Sequence, residues 1–402
     1  MPNAVQPSRQ LLVLLMALTA LGEVSTQLII PSLSAIEWVL AAKPGSSLLA
    51  LSVFVAAFGA GQLVLGPLSD RLGRRPILLA GLLVYLLATG WMLLASSMPE
   101  FVSARVLQGL GACSALVMAR AIVRDVWQEK AGPALAATVI GMLCAIVISP
   151  ALGGLLYRLG GWHAPILLAL GFATLTLLVV VGRYRESNPH LNPQAGRMRS
   201  LATDYFDLLK APSFRALALT LAFTYGAMFA VIAGSSAVYI GLLHLSPSQY
   251  GMTLSGIVLA LIAGALFTRS YITRLGPNKV VSIGVTLVAI GGLATLATYH
   301  LFGLSVLGLS IPQVLVTLGG GMVLPASVAG AVIPNAHRAG LAAGFMGFAQ
   351  MAGATLSGIL LSALQDGSAW PMVFLNGSFA FIAWAIFQGL NRRQLAFGAA
   401  LP

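Results

Sequence analysis

The sequence predicts an all-α integral membrane protein of 12 transmembrane helices arranged in two six-helix halves. Hydrophobic residues make up 58% of the 402-residue chain, charged residues make up 8%, and the mean hydropathy is +0.93. These values lie far outside the averages of soluble domains. Apolar runs of about 20 residues, the length at which an α-helix spans a bilayer, recur along the whole chain. A single long hydrophilic stretch, at 183–215, separates six runs from six.

The apolar runs give approximate bounds for each helix. The tenth run is the least regular, because Pro312, the glycine triplet at 319–321 and Pro325 could bend or break a helix. Helices in a bundle tolerate such residues, so we assign the run as one span. The predicted spans are 11–31, 47–68, 76–97, 102–123, 134–157, 164–183, 214–241, 248–269, 279–299, 302–326, 339–364 and 371–391.

The net charge of +12 is divided unequally between the two sides of the membrane. If the N-terminus is cytoplasmic, all but three of the 22 Lys and Arg residues fall in cytoplasmic loops and tails. The exceptions are Lys43 and Arg158 outside and Arg105 within a helix. This positive-inside pattern predicts that both termini are cytoplasmic. The basic loops then face anionic lipid headgroups, which argues against a nucleic-acid partner.

The hydrophilic stretch also divides the chain into domains. We predict an N-terminal six-helix bundle at 1–183, a cytoplasmic linker at 184–213 that carries two Asn-Pro pairs, and a C-terminal six-helix bundle at 214–402. An even number of helices in each half predicts that both halves enter the membrane in the same orientation. Parallel repeats of this kind rock about a site near the middle of the membrane.

Short internal matches support this duplication. The tripeptide Arg-Leu-Gly at 71–73 recurs at 274–276, and Trp162 before the sixth helix recurs as Trp370 before the twelfth. The two offsets, 203 and 208 residues, are nearly equal. Their agreement with the position of the linker indicates two related halves.

Glu23 is the only acidic residue in the middle of an apolar run. A carboxylate at bilayer depth costs roughly 2.5–3.5 kcal/mol on insertion scales, so it normally faces a water-filled cavity or a partner. Low dielectric favours its protonated form, which makes Glu23 the leading candidate for proton coupling. Arg105 is predicted to lie within about one helical turn of it in depth, so an ion pair, direct or through water, is one reading. A snorkelling arginine near the outer interface is the other.

Three motifs carry a resemblance to a known family. The loop at 66–76 resembles the signature loop of the major facilitator superfamily, and 105–109 resembles its second motif, in which a buried arginine serves in proton coupling. The segment 148–154 resembles the antiporter motif of drug exporters, with Ser149 where glycine or alanine is usual; generic helix packing also explains its small residues. The residues concerned are Gly66, Asp70, Arg71, Gly73, Arg74 and Arg75 in the loop, and Pro150, Gly153 and Gly154 in the antiporter-like motif.

Further segments narrow the resemblance to the Bcr/CflA group of drug/proton antiporters, whose members are inner-membrane exporters linked to bicyclomycin or chloramphenicol resistance. These segments are 119–125, 228–229, 238–240 and 368–372. One departure concerns the acidic residue that the group commonly has four positions before the proline ending the first helix. This chain has Gln27 there, and Glu23 lies one turn earlier on roughly the same face. Either the proton site has moved by one turn, or Glu23 binds a cationic substrate, or it forms a structural pair with Arg105.

The resemblance implies that the first, fourth, seventh and tenth helices line a central cavity. It implies export of drugs or other small amphipathic compounds by proton antiport, in a bacterial inner membrane and as a functional monomer. A proton-coupled uptake symporter for a small nutrient is the alternative, and no motif of an enzyme, metal site or cofactor site is found. The expected cavity residues, besides Glu23 and Arg105, are Gln27, Gln108, Tyr225, Phe229, Ser235 and Tyr239.

Overall fold

The computed structural model describes residues 6–43, 45–188, 191 and 198–398. This part of the chain contains 12 helices long and apolar enough to cross a membrane, one at each predicted position, so the predicted fold class is confirmed. The helices are α1 (Arg9–Gln27), α2 (Leu33–Val39), α3 (Ser46–Leu72), α4 (Arg74–Leu94), α5 (Met98–Trp127), α6 (Ala131–Gly160), α7 (His163–Arg183), α8 (Met198–Lys210), α9 (Pro212–Ser236), α10 (Pro247–Leu275), α11 (Pro277–Phe302), α12 (Val306–Val332), α13 (Ala339–Leu364) and α14 (Trp370–Gly398).

The first and seventh spans both change helix type before they end. Ser8 caps α1 by accepting a hydrogen bond from the backbone N–H of Leu11 at 3.1 Å. After α1, a 3₁₀-helix at Ile30–Ser32 and then α2 complete the first span, and Pro31 favours this change because its ring fixes φ and it lacks an N–H. In the seventh span, α9 passes into a π-helix at Ala237–Leu242. Such irregular segments in corresponding helices of two repeats often mark a transport site.

The tenth span is continuous in spite of its prolines and glycines. Pro312 and Pro325 both lie inside α12. A Cβ atom added to Gly319, Gly320 or Gly321 would collide with α11, α9 or α10, respectively. The triplet therefore allows three neighbouring helices to approach closely and does not break α12.

The segment predicted as a linker contains a helix of its own, α8, which is amphipathic and lies outside the 12 spans. Leu208 on its buried face belongs to the same core cluster as Phe214. Arg338 forms ion pairs with Asp204 at 3.5 Å and with Asp207 at 3.8 Å. Of the two Asn-Pro pairs, the one at 192–193 and the proline of the one at 188–189 lie outside the described residues.

The chain divides into two compact units. Unit 1 comprises residues 1–201 and 246–255, and unit 2 comprises 202–245 and 256–402. In unit 1, α5 packs against both α3 and α4, and α1 packs against α6. In unit 2, α11 packs against α12, and α9 packs against both α13 and α14. Each unit is thus a helical bundle with its own interior.

Candidate functional site

Glu23 and Gln27 lie one helical turn apart on the last part of α1. Glu23 is half-buried, and its carboxylate is hydrogen-bonded by the side chain of Gln27, which is only 4% exposed. A carboxamide can donate to a carboxylate and can accept from a protonated carboxyl group. Gln27 can therefore partner Glu23 in both protonation states.

Arg105 is fully buried in unit 1 and is held by uncharged groups. Its guanidinium donates to the backbone oxygens of Ser25 at 3.2 Å and Ala50 at 3.3 Å, and to Oε1 of Gln108 at 2.6 Å. It also lies 4.2 Å from the ring centroid of Phe54, a cation–π contact. Among the described side chains no carboxylate is at ion-pair distance, so the direct Glu23–Arg105 pair considered from the sequence is not formed.

The contacts of Arg105 belong to a closed ring of hydrogen bonds that joins α1, α4 and α5. From Gln108 the ring continues through Nε2 to Oγ1 of Thr89 at 2.9 Å, and Thr89 donates to the backbone oxygen of Tyr85 at 2.7 Å. The Tyr85 hydroxyl then forms a hydrogen bond of 2.5 Å with Oγ of Ser25, which closes the ring. The ring fixes the rotation of three helices around the buried arginine. We did not predict Thr89 or Tyr85, because the sequence does not show which way each helix turns its polar side chains.

A similar hydrogen-bonded cluster exists in unit 2. Gln313 on α12 donates to Oγ1 of Thr295 at 2.8 Å and to Oδ1 of Asn376 at 3.0 Å, and Asn376 donates to the backbone oxygen of Ala227 at 2.8 Å. The Gln–Thr contact thus repeats the Gln108–Thr89 contact of unit 1, at offsets of 205 and 206 residues. Both offsets fall between 203 and 208, the two offsets of the internal sequence matches. A search for polar residues repeated at this distance could have located the cluster.

The signature loop is organised around Arg74, which is buried between two carboxylates. Arg74 forms ion pairs with Asp70 and with Asp125 at 2.9 Å, and it donates to Oγ of Ser69 at 2.6 Å. Gly73 has a φ of +99°, a conformation that glycine adopts without strain. Of the other predicted loop residues, Arg71 is exposed and Gly66 is half-buried.

The start of the linker segment also binds this loop, a contact that we did not predict. The carboxylate of Glu186 accepts hydrogen bonds from the backbone N–H groups of Arg74 at 3.0 Å and Arg75 at 2.9 Å. Free N–H groups at a helix N-terminus favour a negative charge, so Glu186 caps α4 from more than 100 residues away. Asn188 adds a longer hydrogen bond of 3.5 Å to the backbone oxygen of Asp70.

The antiporter-like motif on α6 is a surface for close helix approach. A Cβ atom on Gly153 would collide with the backbone oxygen of Leu28, and one on Gly154 with that of Pro247, at the start of α10. The backbone oxygen of Pro150 in turn lies where a Cβ atom on Gly251 would be. The small residues of the motif thus let α6 touch the backbone on two sides, within unit 1.

Four of the expected cavity residues lie in unit 2, on α9 and the π-helix. Tyr225 is half-buried, whereas Phe229, Ser235 and Tyr239 are buried. The hydroxyl of Ser235 donates to a backbone oxygen in the preceding turn at 3.2 Å. Tyr239 forms a hydrogen bond of 3.0 Å with Ser310 on α12. In unit 1, Gln27 and Gln108 are both almost fully buried.

Comparisons with known proteins identify the family. The profile of the Major Facilitator Superfamily matches residues 12–269, so the chain belongs to this superfamily. Multidrug resistance protein D of Escherichia coli is 29% identical, with 94% of this chain and 96% of that protein covered. The chloramphenicol resistance protein of Pseudomonas aeruginosa is 29% identical, with 81% and 77% covered. The resemblance to drug exporters found in the sequence is confirmed.

Solved structures support the fold. A bacterial homolog of the human lysosomal transporter Spinster, in an inward-facing and occupied conformation, has a TM-score of 0.77 at 16% identity, with 97% of this chain and 98% of that chain covered. The peptide transporter POT in complex with sulfate has a TM-score of 0.78 at 13% identity, with 98% and 97% covered. The superfamily match and the relatives, in turn, make the chain a multi-pass membrane transporter of small molecules and not an enzyme.

Proposed function

We propose that this protein exports drugs or other small amphipathic compounds from the cytoplasm by proton antiport. The observation that carries the proposal is Glu23, which is half-buried and bound to an uncharged amide. Among the described residues it is the only acidic one far from both ends of a membrane span. An acid with no cationic partner at this depth changes protonation state at lower cost than one held in an ion pair. The drug-resistance names of the relatives support the direction and the type of substrate.

In the proposed cycle, Glu23 takes up a proton from the outer side and releases it to the cytoplasm when a substrate is captured. Gln27 stabilises each form in turn, because its amide can donate or accept. Arg105 acts as a positioning residue: it ties the backbones of α1, α3 and α5 together and does not itself carry the proton. The small residues of the α6 motif allow neighbouring helices to stay in close contact with α6 while the helices move during the transport cycle.

The proposal places the protein in a bacterial inner membrane with both termini cytoplasmic, working as a monomer in exchange with protons and surrounded by anionic lipid. The positive-inside pattern supports the orientation. No cofactor enters the cycle, since the proton gradient supplies the driving force. The two repeated bundles within one chain support function without a second copy.

The test measures proton flux in liposomes that carry a pH-sensitive dye inside. A proton gradient is imposed, a chloramphenicol-type drug is added, and wild type is compared with Glu23→Gln and with the control Glu100→Gln. Glu100 lies near one end of α5, where it binds Ser96. We expect drug-triggered flux in wild type and in the control, and its loss in Glu23→Gln with drug binding retained. Unchanged flux in Glu23→Gln refutes the assignment of Glu23, and drug-driven flux in the symport direction would indicate the uptake transporter.

A further inference from the structure

Two arginines on α5 lie outside every interaction described so far. Arg120 and Arg124 are one helical turn apart and both side chains are exposed, whereas residues 121–123 between them are buried. Helix α5 is packed by α1, α3, α4 and α6 of its own unit. The two guanidinium groups therefore mark a strip of α5 that the other helices of unit 1 leave uncovered.

Asp125, the acid next to Arg124 in the sequence, does not neutralise this pair. Asp125 follows Arg124 directly in the sequence, but its carboxylate is bound by Arg74 at 2.9 Å and by Ser187 at 3.4 Å. Among the described side chains, no carboxylate lies at ion-pair distance from Arg120 or Arg124. Like charges one turn apart on a helix repel each other, so this pair does not stabilise α5.

The position of Arg120 argues against simple anchoring in the lipid headgroups. It lies seven residues before the end of α5 at Trp127, which is about 10 Å along the helix axis. Side chains on a helix lean toward its N-terminus, here away from the nearer end of the span. A charged group that points inward within a membrane span is a functional-site hypothesis by default.

We infer that Arg120 and Arg124 bind an anionic group, such as a carboxylate, sulfonate or phosphate, on the transported compound. The inference rests on the proposed export function and adds amphipathic molecules with a negative charge to its expected substrates. A guanidinium binds such groups through two parallel hydrogen bonds. Two guanidinium groups one helical turn apart therefore offer an anion more donors than a single arginine does. Arg120 is 15 residues from Arg105, about 22 Å along α5, so this site is distinct from the buried ring of unit 1.

The experiment compares two probes that differ in charge and by one methyl group, dansyl-phenylalanine and its neutral methyl ester. Binding is followed by dansyl fluorescence with the full-length protein in nanodiscs of phosphatidylcholine alone. The variants are Arg120→Gln, Arg120→Lys and Arg124→Gln, and the charge-matched control is Arg215→Gln, an exposed arginine at the start of α9. Thermal unfolding of each variant shows whether it is folded.

We expect Arg120→Gln to weaken binding of the acid about tenfold while binding of the ester changes less than twofold. Arg120→Lys should retain part of the affinity, and Arg215→Gln should match wild type. Equal effects on both probes, unchanged binding of the acid in both glutamine variants, or a wild type that does not bind the acid would overturn the inference.

The same measurements in nanodiscs that contain phosphatidylglycerol separate substrate from lipid. If the glutamine variants differ from wild type only there, and only in thermal stability, the arginines bind lipid headgroups and the inference is wrong. A wild type that binds the ester alone refutes the anionic substrate but leaves export intact. Loss of export itself is read separately, from the drug-triggered proton flux described above.

Discussion

At the residue scale, the two candidate coupling residues differ in burial and in the number of their hydrogen bonds. Glu23 is half-buried beside a single amide, whereas Arg105 is fully buried and bound on several sides. A guanidinium presents its donors in a fixed plane, and Arg105 uses those of Nε and Nη1 to reach α1, α3 and its own helix. This arrangement allows Glu23 to change its protonation state, whereas the charge and the position of Arg105 stay fixed.

Replacing Arg105 with lysine tests the structural part of this division. Arg105→Lys keeps the charge but cannot reach the oxygens of Ser25, Ala50 and Gln108 together, so we expect a loss of about 2–4 kcal/mol in stability. The measurement is thermal unfolding in nanodiscs. Arg71→Lys, on an exposed side chain of the signature loop, should change stability by less than about 0.5 kcal/mol. Equal unfolding temperatures for Arg105→Lys and wild type would contradict the role of the ring.

The sequence revealed these two residues because each is alone in an apolar run. It did not reveal Thr89, Tyr85 or Asn376, which complete the hydrogen-bonded clusters of the two units. Hydroxyl and amide side chains are common in membrane helices, and their partners depend on how each helix is rotated. The capping of α4 by Glu186 was missed for a related reason, since the two segments are far apart in the sequence.

At the element scale, hydropathy located every span but not its full length. The fourth span was predicted at 102–123, yet α5 runs from Met98 to Trp127. Polar residues continue a helix beyond the apolar core of a bilayer, so hydropathy marks the core and not the helix ends. Helix α8 escaped prediction because its charged composition resembles a linker, although Tyr205, Leu208 and Leu209 follow a helical period.

The close approach of α6 to the first span leads to a prediction about two glycines in unit 1. We expect Gly153→Ala to destabilise the protein by about 1–3 kcal/mol, because the added methyl group would collide with the backbone oxygen of Leu28. Gly171→Ala on α7 is the matched control, since nothing lies within 4 Å of its added Cβ atom. Alanine is a better helix former than glycine, so this control should gain about 0.5–1 kcal/mol. Thermal unfolding measures whether each variant is less or more stable than wild type. Equal changes in stability for the two variants would show that a methyl group at Gly153 does not strain the close contact.

Helix α8 gives a second prediction at this scale, concerning its attachment to unit 2. We expect Arg338→Gln to raise hydrogen–deuterium exchange at 202–210 about two- to fivefold, because it removes the ion pairs with Asp204 and Asp207. Arg215→Gln should leave this exchange unchanged. A hydrogen bond from Lys210 holds the pKa of Asp207 below its usual range. The Asp207 carboxylate therefore keeps its charge to a lower pH than a free aspartate, and its share of the Arg338 effect should vanish only as the pH falls below the usual range.

At the scale of the whole molecule, the two units repeat a pattern with different chemistry. Each unit contains a Gln–Thr contact between neighbouring helices, and the two glutamines and the two threonines are nearly the same number of residues apart in the sequence. Each unit also contains an irregular helix end. Among the described residues, a charged side chain lies beside this contact only in unit 1, because Arg105 of unit 1 corresponds to Ser310 of unit 2. The repeat supplies the framework, and unit 1 carries the candidate proton chemistry. This asymmetry was visible in the sequence through the isolated Glu23 and Arg105.

The orientation of both units follows from charge and can be tested on the whole molecule. Cys113 and Cys144 are first replaced by serine, and a single cysteine is introduced by Lys43→Cys or Lys279→Cys, both at exposed positions. Because basic loops stay in the cytoplasm, an impermeant maleimide should label Lys43→Cys in intact spheroplasts and Lys279→Cys only after permeabilisation. The reverse pattern would invert the protein, place the signature loop outside, and require proton uptake at Glu23 from the opposite side. Labelling of both positions in intact cells would contradict the odd number of spans, seven, between them, and with it the division into two parallel repeats.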